Sequence, residues 1–261
     1  MLIRTELETR ELDTLSPYAS FAAKSAGRVR PEEECDIRTC YMRDRDRIVH
    51  CKSFRRLKDK TQVFLSPQGD HYRTRMMHTL EVSQTARTVA KCLRLNEDLV
   101  EAIALGHDLG HTPFGHAGER VLKEICPLGF HHNEQSVRVV EKLEKNRQGL
   151  NLTYEVRDGI LCHTGSRKAE TLEGRVVRYA DRIAYINHDI EDAIRAGVIS
   201  QEDLPAECIK VLGKTSSERI NNMIVNIIVN STDKDDVAMN AEFSDASDEL
   251  RQYMFKNVYI G

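Results

Sequence analysis

The chain lacks a C-x-x-C pair, any apolar run near the roughly 18 residues that a membrane helix needs, and any strong excess of one charge. Each absence excludes a class. Its seven cysteines stand scattered at Cys35, Cys40, Cys51, Cys92, Cys126, Cys162 and Cys208. An odd count without paired spacing is neither a disulfide framework nor a zinc-finger pattern, and a reducing, cytoplasmic compartment is the expectation. The opening residues MLIRTELETRELD contain no apolar h-region, so no secretory signal is expected. A net charge of −3 gives no bulk basic character for nucleic-acid binding, although local basic clusters remain. Internal repeats and low-complexity tracts are also missing. What remains is an ordinary soluble balance, 40% hydrophobic and 30% charged over 261 residues. That length is enough to bury a real core, as one large domain or two small ones.

What is present is a dense polar stretch, HDLGHTPFGHAGE, from His107 to Glu119. It holds three histidines, an aspartate, a glutamate, three glycines and a proline in thirteen residues. Few structural needs call for so many imidazoles and carboxylates together. A metal site with acid/base groups beside it does.

Periodicity makes the chain nearly all-α. A short first helix leads into an irregular arm with a mobile-looking segment from Lys24 to Arg30. Cys35 to Asp59 reads as a solvated helix whose buried stripe is Ile48, Val49, Phe54 and Leu57. Thr61 to Leu65 and the turn-forming SPQGD that follows predict an extended piece, compatible with one small hairpin before Arg75. From Arg75 the spacing of Val82, Ala86, Val89 and Leu93 is helical, and four residues before Val82 stands His78. Asn96 is a good N-cap for the next helix, in which Leu99 and Ile103 lead by fours to His107. Two separate inward stripes therefore each end in a histidine. A Gly/Pro loop follows, and a new helix runs from about His116 to Ile125. Further helices are expected over Asn133–Glu144, Thr153–His163 and, longest, Lys168–Ala196, ended by Gly197. Short helices over Ser200–Leu204 and Glu207–Leu212 precede an amphipathic Ser216–Asn230. The stripe of that helix, Ile220 to Ile228, suits either core or a subunit interface. Ser247 is expected to cap a last helix, Asp248–Tyr259.

Asp181 falls on or beside the stripe of the longest helix, four residues after Val177, with Tyr185 and Asp189 following on one face. A lone histidine on an apolar face is usually a satisfied core residue. Here His78, His107, Asp108 and Asp181 all occupy positions where apolar residues are expected, and buried charge is costly unless paired or metal-bound. Imidazole plus carboxylate suits a divalent ion of intermediate hardness, Mn²⁺ or Mg²⁺ first, with Fe²⁺, Ni²⁺ and Zn²⁺ also compatible. Open positions on such an ion imply Lewis acidity and an activated water.

The pattern His78…His107-Asp108…Asp181 resembles the HD-domain metal phosphohydrolases. The words SPYASFAAKSAGR, FRRLKDKTQVF, DHYRTRMMHTLEV, ALGHDLGHTPFGHAGE, HHNEQS and RYADRIAYINHDIEDAI are similar to those of the bacterial deoxyguanosine triphosphate triphosphohydrolase group, continuously over residues 16–195. The resemblance implies an all-α HD-domain helical bundle. It also implies one-step hydrolysis of a deoxynucleoside triphosphate at the α-phosphorus, to deoxynucleoside and tripolyphosphate. Three phosphates demand cations, and Arg55, Arg56, Lys58 and Arg75 are the candidates; for Arg55 to Lys58 a solvated helix face is the plain alternative. His111, four residues after His107, would face the phosphates. His116 and Glu119 form a candidate proton-transfer dyad, although Glu119 is also a natural first-turn carboxylate. By resemblance Tyr185 packs against the deoxyribose, and Asp189 and Gln62 bind its 3′-hydroxyl. His131, His132 and His163 receive no chemistry, and His71 and His188 are either cleft-lining or solvated.

On this reading residues 1–52 form an N-terminal arm and helix packing on the core, 53–196 the HD phosphohydrolase core, and 197–261 a shortened C-terminal helical extension of the same domain. The family resembled runs on with further helices. Resemblance also implies a homo-oligomer and raises a regulatory deoxynucleotide or single-stranded DNA as partners; no membrane partner is expected. The competing readings are an HD hydrolase of another nucleotide or phosphoester, and a nucleotide-binding regulator without turnover.

Overall fold

Asn96 caps its helix as the periodicity predicts, its side-chain oxygen accepting from Leu99 N–H at 3.2 Å. The same device, a side-chain oxygen satisfying an orphan N–H, starts several helices, with Thr39, Thr74, Thr171, Thr215 and Asn240 as caps. The computed structural model describes residues 3–63 and 73–259. Its helices are α1 Ile3–Thr14, α2 Cys40–Val49, α3 Lys52–Arg56, α4 Arg75–Cys92, α5 Glu97–Gly106, α6 Gly115–Ile125 and α7 His132–Arg138. A π segment, Val139–Leu143, continues α7 into a single turn, α8 Glu144–Arg147, where Lys145, Asn146 and Arg147 take positive φ. Then follow α9 Tyr154–Cys162, α10 Leu172–Arg195, α11 Ala206–Leu212, α12 Ser216–Ser231 and α13 Ala241–Met254, the last running into a π turn, Phe255–Tyr259.

The fold is all-α. Among the described residues the only β pairing is two isolated antiparallel bridges, Arg28 with Thr153 and Thr61 with Thr74. The second bridge brackets the expected hairpin, whose tip and whose His71 lie outside the described residues. The core centres on α4, α5 and α10, with α2 and α9 packed against α5. The predicted stripe residues Val82, Ala86, Val89, Leu99 and Ile103 are all buried there. The two histidines that end those stripes are consequently carried to one end of the same core.

Several expectations change. The segment from Lys24 to Arg30 is pinned rather than mobile: Ala26 N–H donates to Glu155 at 2.6 Å, and Arg28 pairs with buried Asp44. The Cys35–Asp59 helix is two helices, because the Cys51 thiol accepts from Phe54 N–H and restarts the chain. Of its stripe, Ile48, Phe54 and Leu57 are buried and Val49 is exposed. The last helix begins seven residues before Ser247, at the Asn240 cap, and Ser247 is buried inside it. In the stripe of α12, Met223 and Ile227 are buried, with Ile220, Ile224 and Ile228 packed partly against the core. No helix among the described residues is long and apolar enough to cross a membrane.

Candidate active site

His107 sits at the C-cap of α5, where the helix is ending and a ring reaches back to a free carbonyl. Its Nδ1 stands 2.7 Å from Ala104 O. A carbonyl only accepts, so Nδ1 carries a proton and Nε2 is the nitrogen turned into the site. Nε2 faces carboxylates: Asp108 Oδ2 at 3.4 Å and Asp181 Oδ1 at 3.8 Å. His78, from the first turn of α4, brings Nε2 to 3.0 Å from Asp181 Oδ1 and 3.9 Å from Asp108 Oδ2. The four residues that the stripes single out, His78, His107, Asp108 and Asp181, therefore converge from α4, the α5 end and α10.

Two glycines make the approach work. At Gly110 an added Cβ would lie 2.2 Å from Ser136 N, so only glycine lets the loop touch α7. The Gly110 N–H donates to Ser136 Oγ, which in turn donates to His107 O. Gly115 has φ +52°, and a Cβ there would meet Gln62 O at 2.8 Å. These contacts fix the HD loop against α7 and against the segment before α4.

Electrostatics follow the geometry. Burial opposes charge on His107, but Asp108 and Asp181 outweigh it and hold its pKa up at about 9. Burial likewise opposes ionisation of Asp108, and His107 and Arg75 overcome it and hold the carboxyl well below its usual range. Asp181 is drawn down to about 2 against burial, first by its bond from His78. Arg75 is buried and donates from Nη1 to Asp108 Oδ2 and from Nη2 to Gln62 O. His111 lies over Asp108, Nε2 to Oδ1 3.8 Å, and burial and Arg75 push its pKa well down, so it is neutral. In this protein the cluster is thus two ionised carboxylates facing imidazoles and one guanidinium.

Glu119 has two histidine neighbours. His132, at the start of α7, places Nδ1 3.0 Å from both Glu119 oxygens, and its main-chain N–H donates to Oε1 at 2.9 Å. His116 is more distant, Nδ1 to Oε2 3.4 Å, and its side chain is 55% exposed. Against the opposition of burial, these bonds hold the Glu119 carboxyl far below its usual range. His132 stacks on His111 at 4.0 Å between ring centroids. It is a residue to which sequence reasoning gave no role.

The remaining candidates separate. Gln62, Arg75, His78, Asp108, His111, His116, Asp181 and Tyr185 line one small chamber of about 110 Å³, together with His132, Thr164, Arg251, Phe255 and Tyr259. Asp189 adjoins it, accepting from Tyr259 Oη at 2.5 Å, and burial raises its pKa to about 6. Arg55 and Arg56 are exposed and line a different, basic cleft behind the loop, and Lys58 is exposed on the same short segment. None of these three is brought to the chamber. His188 pairs with Glu81 and stands apart from it. Arg251 and Tyr259 carried no signal in the sequence beyond lying on the last helical segment. His163 did carry one: extending the Val156–Ile160 stripe by three reaches it, just as the earlier stripes reach His78 and His107.

Around this chamber buried polar atoms go unpaired. Among the described residues Gln62 Oε1, Arg75 Nε, His78 Nδ1, His107 Nε2, His111 Nδ1 and Asp189 Oδ1 are buried with no hydrogen-bond partner. Buried polar groups are normally satisfied, because leaving one unpaired costs roughly 1–3 kcal/mol. Their concentration in one place is the mark of a site whose ligands complete it. One ligand atom each of His78, His107 and Asp108 falls within 4.8 Å of the others, as does one each of His107, His163 and Asp181. The donor set fits a divalent metal ion.

The HD domain family matches residues 75–186. The chain is 59% identical to a deoxyguanosinetriphosphate triphosphohydrolase-like protein of Caldanaerobacter subterraneus subsp. tengcongensis, over 100% of this chain and 77% of that protein. It is 56% identical to a protein of the same description from Clostridium perfringens, over 100% of this chain and 79% of the relative. Among solved structures, a hypothetical protein from Aquifex aeolicus aligns with a TM-score of 0.51 at 20% identity, covering 84% of this chain and 56% of the other, a likeness of fold.

Proposed function

Because this chain belongs to the HD-domain family of deoxyguanosinetriphosphate triphosphohydrolase-like proteins and is a phosphohydrolase of that kind, we propose that it hydrolyses deoxynucleoside triphosphates to deoxynucleoside and tripolyphosphate. The observation that carries this reading is the ring of unpaired buried atoms on Gln62, Arg75, His78, His107, His111 and Asp189. It supplies acceptors, donors and metal-binding nitrogens in one chamber.

His78, His107, Asp108 and Asp181 would hold a divalent ion, with Mn²⁺ and Mg²⁺ the first choices. When bound, the ion supplies Lewis acidity at phosphoryl oxygens and lowers the pKa of water beside it. The chain's own residues do the rest. Arg75 fixes the Asp108 carboxylate from one side and presents a positive charge at the chamber wall. Neutral His111 offers a ring nitrogen to a phosphate oxygen without adding charge repulsion to Arg75. Glu119 holds His132 by its Nδ1, so the opposite nitrogen is set to give a proton to a leaving 5′-oxygen. His116, exposed at the rim, is the alternative partner of Glu119. Tyr185 offers its ring to the sugar, and Gln62 and Asp189 offer oxygens to the 3′-hydroxyl. A 2′-hydroxyl that clashes or goes unpaired there costs a few kcal/mol, enough to select against ribonucleotides.

The chamber of about 110 Å³ is smaller than the roughly 300 Å³ or more of ordinary ligand pockets. Entry of a nucleotide therefore requires the Arg251–Tyr259 wall to move outward, exchanging the Tyr259–Asp189 bond for one to substrate. The test is incubation with each of the four deoxynucleoside triphosphates and with GTP, in Mn²⁺ or Mg²⁺, resolving products by chromatography. Tripolyphosphate from deoxynucleotides alone is the expected outcome. Orthophosphate or pyrophosphate as product refutes the α-phosphorus assignment, and no turnover with any metal refutes the enzyme.

A further inference from the structure

The helix that carries Glu119 wears its apolar face outward. Along α6, Ala117, Val121 and Ile125 recur every four residues and form one stripe. Phe114 stands at the N-cap of the helix and Leu128 in the turn after it. In α4, α5 and α10 the apolar stripe is turned to the core. In α6 it is turned to solvent: Phe114, Val121 and Ile125 are each more than half exposed, Leu128 is 96% exposed, and Ala117 is exposed with them. Gly115 is the only buried residue of the helix, and no other described helix packs along it. Apolar residues exposed singly are ordinary, whereas a contiguous exposed row marks a contact surface.

The charges beside the stripe say what covers it. At about 100° per residue, Arg120 and Glu124 lie along one edge of the stripe, and Gly118 and Leu122 along the other. Arg120 and Glu124 are exposed, and among the described residues neither has an ion-pair or hydrogen-bond partner. Two such helices packed antiparallel bring like edge to like edge, where flanking charges set partner and orientation as in a coiled coil. Arg120 of each copy then meets Glu124 of the other, twice over. A parallel pair would set the charged edge against Gly118 and Leu122 and leave both charges unanswered. In the antiparallel pair Val121 meets its own counterpart, and the small Ala117 faces the larger Ile125 of the other copy.

We propose that α6 is a contact between two copies of this chain, packed antiparallel about a two-fold axis near Val121. The contact is isologous, the same surface on both partners, and the occupant is a second copy because the stripe and its charged edge complement themselves. Two helices of about three turns bury less than roughly 1,200 Å² in total, the low end of specific interfaces, so a dissociation constant on the order of micromolar is expected. Glu119 lies on the opposite face of α6, so pairing steadies that helix without covering the carboxylate. The inference does not depend on which phosphoester is cleaved.

The experiment is sedimentation velocity of the full chain over a wide range of concentration. Self-association with a dimer step is expected. Val121→Glu sets two carboxylates at the axis and should lose that step while keeping the wild-type circular dichroism. Arg120→Glu alone and Glu124→Arg alone should each weaken the dimer about tenfold, the scale of two exposed ion pairs lost together. The double variant Arg120→Glu with Glu124→Arg restores both pairs and should return to the wild-type constant. A wild type that stays monomeric overturns the proposal and leaves the stripe to a different partner. A dimer unmoved by Val121→Glu places the contact on another face and also overturns it. A double variant no better than either single one refutes the antiparallel pairing. If Val121→Glu does not fold, the wild-type measurement and the charge series decide the question alone.

Discussion

The Leu109–Pro113 loop divides two cavities that differ in almost every respect. On one side is the chamber of about 110 Å³ walled by His78, Asp108, His111, His132, Asp181 and Tyr185. On the other is a cleft of about 1070 Å³ whose lining includes Arg43, Arg47, Arg55, Arg56, Lys60 and Arg147, with Asp46 and Glu144 as its acids among the described residues. His111 belongs to both linings, and Lys60 ties the wall together by donating to Leu109 O and His111 O. Burial and the charge of Arg75 lower the Lys60 pKa to about 8. The larger cavity is not the one to which we assign the reaction. In the chamber each charge faces a fixed partner in low dielectric, so small displacements have large energetic consequences. The exposed cations of the cleft are solvated and screened, and individual pairs there are worth little.

The comparison is broken or sharpened by substitutions, in falling order of effect. Asp108→Ala should abolish bound divalent metal and turnover with the fold kept, read by metal content, product formation and circular dichroism. Removing one member of a buried ion pair costs about 3–5 kcal/mol, so Asp108→Asn is the gentler control. Full activity in Asp108→Ala would overturn the chamber as the active site. Next, His132→Gln and Glu119→Gln should each lower kcat by about 10²–10⁴-fold, the range for general acid–base groups. His116→Gln should lower it less, because His116 is exposed and further from Glu119. A larger loss in His116→Gln than in His132→Gln would restore the sequence-based dyad.

Asp189 makes a prediction about pH. Burial lifts its carboxyl from near 3.8 to about 6 in the folded state. A folded pKa above the unfolded value means a contribution present below about 4 and lost as pH rises through about 6. Asp189→Asn should therefore gain about 1–3 kcal/mol over wild type at pH 7, a gain that vanishes by pH 4. A gain independent of pH in thermal melts would remove the titration as its cause. Smallest of all, Arg55→Gln with Arg56→Gln should change KM for a deoxynucleoside triphosphate by less than about threefold, the scale of exposed charge interactions. Arg75→Gln should raise KM far more. A steep rise in the double variant would put the phosphates in the cleft instead.

The helical stripes were legible because burial repeats every three to four residues along one helix. Val82 and Ala86 point back to His78, and Leu99 and Ile103 point on to His107, so two of the metal candidates emerge from spacing alone. The Asn96 cap and the stop at Gly197, where φ is +69°, were local chemistry of the same kind. Ser247 misled because a good cap residue upstream, Asn240, already served, and a serine inside a helix looks the same in sequence. The break at Cys51 was hidden for a related reason, since a thiol is an uncommon cap acceptor.

What the sequence determined by itself is an all-α chain of the HD kind, with His78, His107, Asp108 and Asp181 on inward faces. What only the tertiary structure decided is which groups meet between helices. Glu119 meets His132 more closely than His116, His132 meets His163 across α7 and α9, and Tyr259 reaches Asp189 from the end of the described chain. The physical reason is that periodicity records the direction a residue faces on its own helix. The distance between two helices is set by how side chains interlock and where a glycine such as Gly110 permits contact. The basic run Arg55–Lys58 shows the same limit, since its positive sign was plain in sequence and only packing assigned Arg55 and Arg56 to the cleft.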